Sequence, residues 1–404
     1  MTKRPSVIVI GSGHNGMVCS NYLAMAGYQV DVMEAKESLG GAAGVFEFAK
    51  DFRAPGLVNA AYGLNRKICK DLKLSPQSEK APKKIDCVAL DVKGEHLILT
   101  PDGVSGHKIS ETDIGAYKKF KKEFTSYAKA LDPLMTERPP RLKNMDRKDK
   151  KTLARLGWNL RFGLGTDSMR EFLRVGGINI YDVLNEYFDS RHLKAALAVD
   201  AVMGQHMGPR TPNTVLTYIH RVWAQTHATS ELSTGKDILQ ALYNSADSAG
   251  VRFRPNSRVR RVLMNQGRAT GVLLESGEEV SASIVVSNAD VKTTFLELVG
   301  AQNLDAMFCH RIDNIRCEGN VTKIFFAVRA LPQFRNLDQK NLRHRLLIAP
   351  NQRYVEHAFN HSKYGECSEN PVLEITVPSL ADPTLAPNGF HVVSVSATYT
   401  PRAP

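Results

Sequence analysis

Residues 7–34 read VIVIGSGHNGMVCSNYLAMAGYQVDVME, and this stretch decides the fold. The run Val7–Ile10 is short, β-branched and wholly apolar, which predicts a strand buried on both faces. Gly11-Ser-Gly13-His-Asn-Gly16 follows it as a GxGxxG turn, and the next segment, about 14–26, reads as a helix with small residues on one side. Gly27 stops that helix and Gln29–Glu34 reads as a second strand, so the chain opens with a βαβ unit. Each glycine has a separate duty. Gly11 permits the tight strand-to-helix turn, Gly13 lets the backbone approach a pyrophosphate, and Gly16 lets the helix pack on the strand. The helix N-terminus then offers unpaired N–H groups and its positive dipole end to an anion. Glu34, ending the second strand, stands where a carboxylate accepts from the hydroxyls of an adenosine ribose.

The fingerprint alone does not separate FAD from NAD, but its surroundings favour FAD. The motif opens the protein, Gly40-Gly41 follows Glu34 by six residues, and no second GxGxxG follows a strand to build a separate nicotinamide domain. Ser12, His14, Asn15, Ala35 and Ala42 lie within or beside these turns and join Gly11, Gly13, Gly16, Glu34, Gly40 and Gly41 as expected cofactor contacts. For His14 and Asn15 the reading is of polar residues at a helix start, not of catalytic groups.

Working outward, 113–250 is mostly helical, broken at Pro139-Pro140 and at GPRTP (208–212), and a long helix over 236–249 ends at Gly250. Strands follow over 258–264, 270–275, 279–282 and 284–286, then 321–329 and 390–398. The fold class expected is α/β: a discontinuous Rossmann-like FAD-binding domain interleaved with a mixed α+β substrate domain. The boundaries expected are 1–75 and 236–300 for the first, 76–235 and 301–404 for the second.

The chain has 404 residues and a formal net charge of +12. The charge is concentrated. Over 116–151 twelve Lys and Arg oppose five acids, leaving +7 in that stretch. Tyr117, Phe120, Phe124 and Tyr127 sit among the lysines at helical spacing, which reads first as a buried stripe beneath a solvated basic face. As a binding surface, the stretch suits an anionic membrane better than nucleic acid. Six cysteines show no CxxC pair, which fits a reducing compartment and argues against a disulfide reductase. No His/Cys group has metal-site spacing, so no metal is expected. The opening leaves no room for a signal peptide, and no transit segment is evident. The location expected is therefore cytoplasmic in a bacterium, or the mitochondrial matrix or inner-membrane face in a eukaryote.

The stretch from Val7 to the GGAA at 40–43 resembles the phytoene desaturase-like FAD oxidoreductases. So do ALAVDAVMG (196–204), 259–290, VTKIFFAV (321–328) and DPTLAPNGFHVVSV (382–395). The resemblance implies an FAD-dependent oxidoreductase that takes hydride from a lipophilic small molecule. Alternatives from other classes are a non-redox flavin isomerase of polyenes and a non-catalytic binding protein that retains the scaffold. It also implies that the backbone near Val259 lies beside adenine, that Asn288 ends its strand at the cofactor, and that Lys323 is a catalytic lysine near the flavin. Without the resemblance, Lys323 reads equally well as a surface strand lysine. His206, His220 and His227 read as packed or surface residues.

Ala42 stands where amine oxidases and true carotene desaturases usually have arginine, so GGAA points to a separate branch of the family. Two departures stand out. The glycine-rich turn expected before the helix at 236 is reduced to Gly235, which puts close backbone approach to the cofactor or substrate in doubt. A late glycine-rich turn over the flavin ring does not occur before Pro404, so the chain looks truncated. The expectation drawn from this is weak FAD binding and a strand over 390–396 left with exposed backbone.

Overall fold

In the computed structural model, which describes residues 5–56, 65–74, 86–226, 235–317 and 319–401, the opening strand β1 (Ser6–Ile10) sends alternate side chains to two cores. Val7 and Val9 pack with Val30, Val32, Ala246 and Val251 on one face. Ile8 and Ile10 pack with Met33, Val262 and Val272 on the other. Val7–Ile10 are all apolar because both faces are covered there. β1 lies between the parallel strands β2 (Gln29–Met33) and Ile284–Ser287, and Arg252–Arg254 extends the sheet beyond β2. Helix α1 (His14–Met25) and the helix Gly235–Ser248 pack together in this unit, and Asn21 Nδ2 donates to the Leu242 carbonyl at 3.2 Å. An antiparallel meander of Val259–Asn265, Arg268–Leu274 and Glu279–Ser281 shares the core of Ile8 and Ile10.

The chain divides into two compact units, residues 1–82 with 229–317, and 83–228 with 318–404. The expected boundary at 300 moves to 317 for a packing reason. The π-helical turn Thr293–Gly300 buries Leu298 in the meander core. Phe295 meets Phe308 of the helix Ala306–Asp313 edge-on, at 4.9 Å between ring centroids. Both segments therefore stay with the first unit.

The second unit is built on a seven-stranded sheet. Its order is Val321–Val328, His391–Thr398, Val372–Thr376, Arg345–Ile348, Cys87–Ala89, Leu97–Leu99, Val104–Gly106. Only the pair of Arg345–Ile348 with Cys87–Ala89 is parallel. This corrects the expectation of an exposed strand at 390–396. His391–Thr398 has a ladder on each side and is almost wholly buried. Among the described residues, the outer position belongs to Val321–Val328, where Phe326 is exposed.

The basic stretch splits into two kinds of helix. In Glu111–Ala130, capped by Ser110, the side chains of Tyr117, Phe120, Phe124 and Tyr127 are all buried, so the stripe belongs to the core. The second helix, Arg147–Trp158, starts with a capping box between Asp146 and Asp149. Arg138 and Arg141 pair with those two aspartates, so part of the +7 is neutralised locally.

Candidate functional site

The turn after β1 is shaped by glycine. Gly11 has φ +93°, a conformation that strains any side chain. Its N–H donates to the Met33 carbonyl at 2.8 Å, tying the turn to the end of β2. A Cβ on Gly16 would stand 2.2 Å from the Gly11 carbonyl oxygen, so helix and turn meet as closely as backbone allows. Gly13 caps α1 without a side-chain hydrogen bond, and no acid occupies the first turn. The positive end of α1 is therefore left without compensation from its own sequence. His14 and Asn15 are exposed on that turn, as helix-start residues.

Ser12 is fully buried and connects three segments. Its N–H and its hydroxyl both donate to Glu34 Oε2, at 2.9 and 2.5 Å. The Gly40 N–H donates in turn to Ser12 Oγ at 3.3 Å. Glu34 Oε1 accepts from the Lys36 N–H at 3.0 Å. Burial works to raise the Glu34 pKa, but hydrogen bonds from the Ser12 hydroxyl and from backbone N–H groups outweigh it and hold the carboxyl below its usual value. Three acceptor sites on Glu34 are thus engaged before any ligand arrives. Ser12 was expected here only as a member of the turn. Its role as the link could be read in the sequence only by knowing that Gly40 returns to it.

Gly40 and Gly41 have φ +115° and +57°. Gly40 forms a parallel bridge with Gly13, and a Cβ on Gly41 would stand 3.0 Å from Gly13 Cα. Ala42 is exposed on the short turn Gly41–Ala43. Gly235, which opens the helix Gly235–Ser248, packs closely on the chain itself: a Cβ there would lie 2.8 Å from the Ala43 carbonyl oxygen. Residues 231–234 lie outside the described residues.

Asn288 continues the strand Ile284–Ser287 and donates its N–H to the Ile10 carbonyl at 2.8 Å. Its Nδ2 lies 2.9 Å from where a Gly13 Cβ would stand, so the amide sits over the glycine turn. The Val259 side chain belongs to the meander core. The open space lies next to it. A cleft of about 320 Å³ is lined by Ala35, Asn256, Ser257, Arg258, Glu275 and Glu278 among others. The connection 256–258 was not anticipated. It is held by Ser257 N–H to the Glu34 carbonyl (2.7 Å) and Asn256 N–H to the Lys36 carbonyl (3.1 Å). Uncapped donors, glycine clearance, an ionised carboxylate and a polar cleft beside Ala35 fit the ADP half of a dinucleotide.

In the second unit Lys323 lies opposite Ser396 in the ladder. Its Nζ donates to Ser394 Oγ (2.9 Å) and Ser396 Oγ (3.1 Å). Burial pushes its pKa down to about 8, against an opposing pull from Glu374. His206 is exposed and meets Phe359 edge-on, and His220 stacks on Trp223. His227 lies outside the described residues.

Residues 9–66 match the family described as NAD(P)-binding Rossmann-like domain, and 167–297 match that described as FAD binding domain. The chain is 32% identical to pyridine nucleotide-disulfide oxidoreductase domain-containing protein 2 of Mus musculus, over 98% of this chain and 73% of the relative. The chain belongs to the pyridine nucleotide-disulfide oxidoreductase domain-containing protein 2 family. The family stands within the FAD-dependent oxidoreductases, and FAD is its cofactor. A phytoene desaturase (neurosporene-forming) of Rhodobacter capsulatus is 29% identical over 39% of this chain and 30% of its own. An oxidoreductase from Methanosarcina mazei shares the fold with TM-score 0.56 at 18% identity, covering 97% of this chain and 79% of that one. All six cysteines of this family member are free.

Proposed function

We propose that residues 11–16 and 40–41 hold the pyrophosphate of FAD, that Glu34 holds the adenosine ribose, and that the protein removes hydride from a largely apolar organic substrate. The observation that carries the first part is the continuous link from Gly40 N–H through the Ser12 hydroxyl to Glu34, set beside an uncapped helix end. FAD, when bound, supplies a ring that accepts two electrons and a proton as hydride. The chain's own residues bind and orient it. The N–H groups at the start of α1 face the phosphates, and a ribose hydroxyl takes the remaining acceptor site of Glu34 or displaces the Ser12 hydroxyl. Ala35 and 256–258 wall the adenine, with the Val259 backbone beside them. Asn288 Nδ2 is a further donor over the glycine turn. Lys323 is the catalytic candidate: its Nζ, with a pKa of about 8, can hold or release a proton near neutral pH.

The apolar substrate class is supported by the similarity to a phytoene desaturase. Thiol–disulfide exchange in the manner the relative's name suggests is not supported, because the sequence has no CxxC or other closely spaced cysteine pair. The test is anaerobic mixing of FAD-loaded protein with an apolar polyene, following flavin absorbance and substrate together. Bleaching with net substrate oxidation is expected. Isomerisation without net oxidation would replace the reading by a non-redox one.

A further inference from the structure

The second basic helix carries an exposed face that packing among the described residues does not explain. Arg147–Trp158 runs on into the π-helical turn Asn159–Gly163. Its inner side buries Asp149 and Thr152. On its outer side Lys148, Lys151, Arg155, Trp158 and Phe162 recur at alternating three- and four-residue spacing, which places them on one stripe. Trp158 is 65% exposed and Phe162 62%, and their rings touch at 4.5 Å between centroids. The Arg161 guanidinium lies 5.5 Å from the Phe162 ring. Leu142, just before the helix, and Leu173, in the helix Thr166–Val175, are exposed as well. Solvent-facing aromatic pairs of this kind lower no folding free energy by burial, so the face calls for a partner.

The charge beside the aromatics says which partner. Lys143, Arg147, Lys148, Lys150 and Lys151 are all exposed. Lys151 feels the nearby Glu137, which also pairs with Arg155, whereas Lys143, Arg147, Lys148 and Lys150 form no ion pair among the described residues. Asp146 and Asp149, the acids of this segment, are already held by Arg138 and Arg141. An anionic surface therefore meets uncompensated positive charge, whereas a second copy of the chain would bring like charge to like. We propose that this face docks on an anionic lipid bilayer. The lysines meet the headgroups, and Trp158 and Phe162 enter the interfacial layer, where amphipathic rings partition favourably. The attachment lies on the surface; no helix among the described residues is long and apolar enough to cross a membrane. The inference does not depend on the FAD reading.

Trp158 is its own reporter. The chain has two tryptophans, and the other, Trp223, is buried with Nε1 donating to Asp132. The full chain would be mixed with phosphatidylcholine vesicles, with and without phosphatidylserine, at low and high salt. The expected result is a blue shift of tryptophan emission and flotation only with phosphatidylserine, weakened by salt. Trp158→Ser with Phe162→Ser should lower the vesicle partition coefficient by roughly tenfold or more. Lys148→Glu with Lys151→Glu should lower it at least as far, each basic residue at such a surface being worth about fivefold. All four sites are exposed, so melting temperatures should match wild type, and equal melting keeps a failure of binding interpretable. Equal binding to neutral vesicles, no binding to either, or unchanged binding by the serine variant would overturn the proposal. So would a concentration-dependent dimer abolished by the serine variant in place of vesicle binding, or equal capture of an RNA oligonucleotide.

Discussion

Glu34 and Lys323 are both ionisable groups withdrawn from solvent, one in each unit, and the protein treats them in opposite ways. Glu34 receives hydrogen bonds from the Ser12 hydroxyl and from backbone N–H groups, which overcome its burial and keep it charged. Lys323 has two serine hydroxyls and no adjacent carboxylate strong enough to offset burial, so its ammonium form is disfavoured. The difference is one of preorganisation. A carboxylate fixed by donors within a rigid turn is a permanent charge, suited to binding. An amine with a pKa of about 8 is a group that changes state near neutral pH, suited to handling a proton.

The largest effect that would disturb the Glu34 side of this contrast comes from Gly16. A side chain there meets the Gly11 carbonyl at 2.2 Å and neither backbone segment can yield. Gly16→Val should destabilise the fold by about 3 kcal/mol or more, seen as an early urea transition. Gly13→Val is the control. Its nearest obstacle is the movable Asn288 amide at 2.9 Å, so folding should survive while FAD affinity falls. Normal urea transitions for both variants would show that the turn is looser than its geometry.

Glu34→Ala should cost roughly 1.5–3 kcal/mol of FAD affinity for each charge-assisted hydrogen bond lost. Titration followed by flavin fluorescence measures it. Affinity equal to wild type would remove Glu34 from the ribose site. For Lys323 the sign runs the other way. The unfolded lysine binds more protons than the folded one between about pH 8 and the usual lysine range, so wild-type stability rises with pH across that window. Lys323→Met should therefore be more stable than wild type at neutral pH, by about 2 kcal/mol. That gain should shrink as pH rises through the window in paired urea melts. A constant difference would show that the lysine is not burdened by burial.

Ser12→Ala gives the smallest change and the sharpest one. It removes the hydroxyl donor to Glu34 but keeps the backbone donor. A loss of about 1 kcal/mol in FAD affinity is expected, together with a rise in the pH at which affinity falls off on the acid side, because Glu34 becomes easier to protonate. Lower affinity without that displacement would make Ser12 a packing residue only.

Much of the first unit was legible because its constraints are local. β1, the glycine turn, α1 and Glu34 lie within 6–34, and the pattern that marks them, an apolar strand, a GxGxxG turn, a helix and an acid ending the next strand, is complete within that one βαβ unit, although β1 also pairs with the distant strand Ile284–Ser287. The meander and the aromatic stripe of Glu111–Ala130 were legible for the same reason, since hydrophobic period is a property of the segment itself. The sequence could not say that the Asn288 amide would lie over Gly13, that Gly235 would press on Ala43, or that 256–258 would border a cleft with Ala35, because those contacts join segments some 190 to 275 residues apart. The sequence reading also gave no sign that the rings of the second basic helix would stay exposed. Phe120 and Phe124 pack with Tyr218 of a distant helix, while Trp158 and Phe162 meet each other at the surface, with Arg161 beside the Phe162 ring. A strand at 390–398 was evident from alternation, but its place between two others came from pairing across the sheet, and a strand's neighbours, not its own residues, decide whether its backbone is exposed.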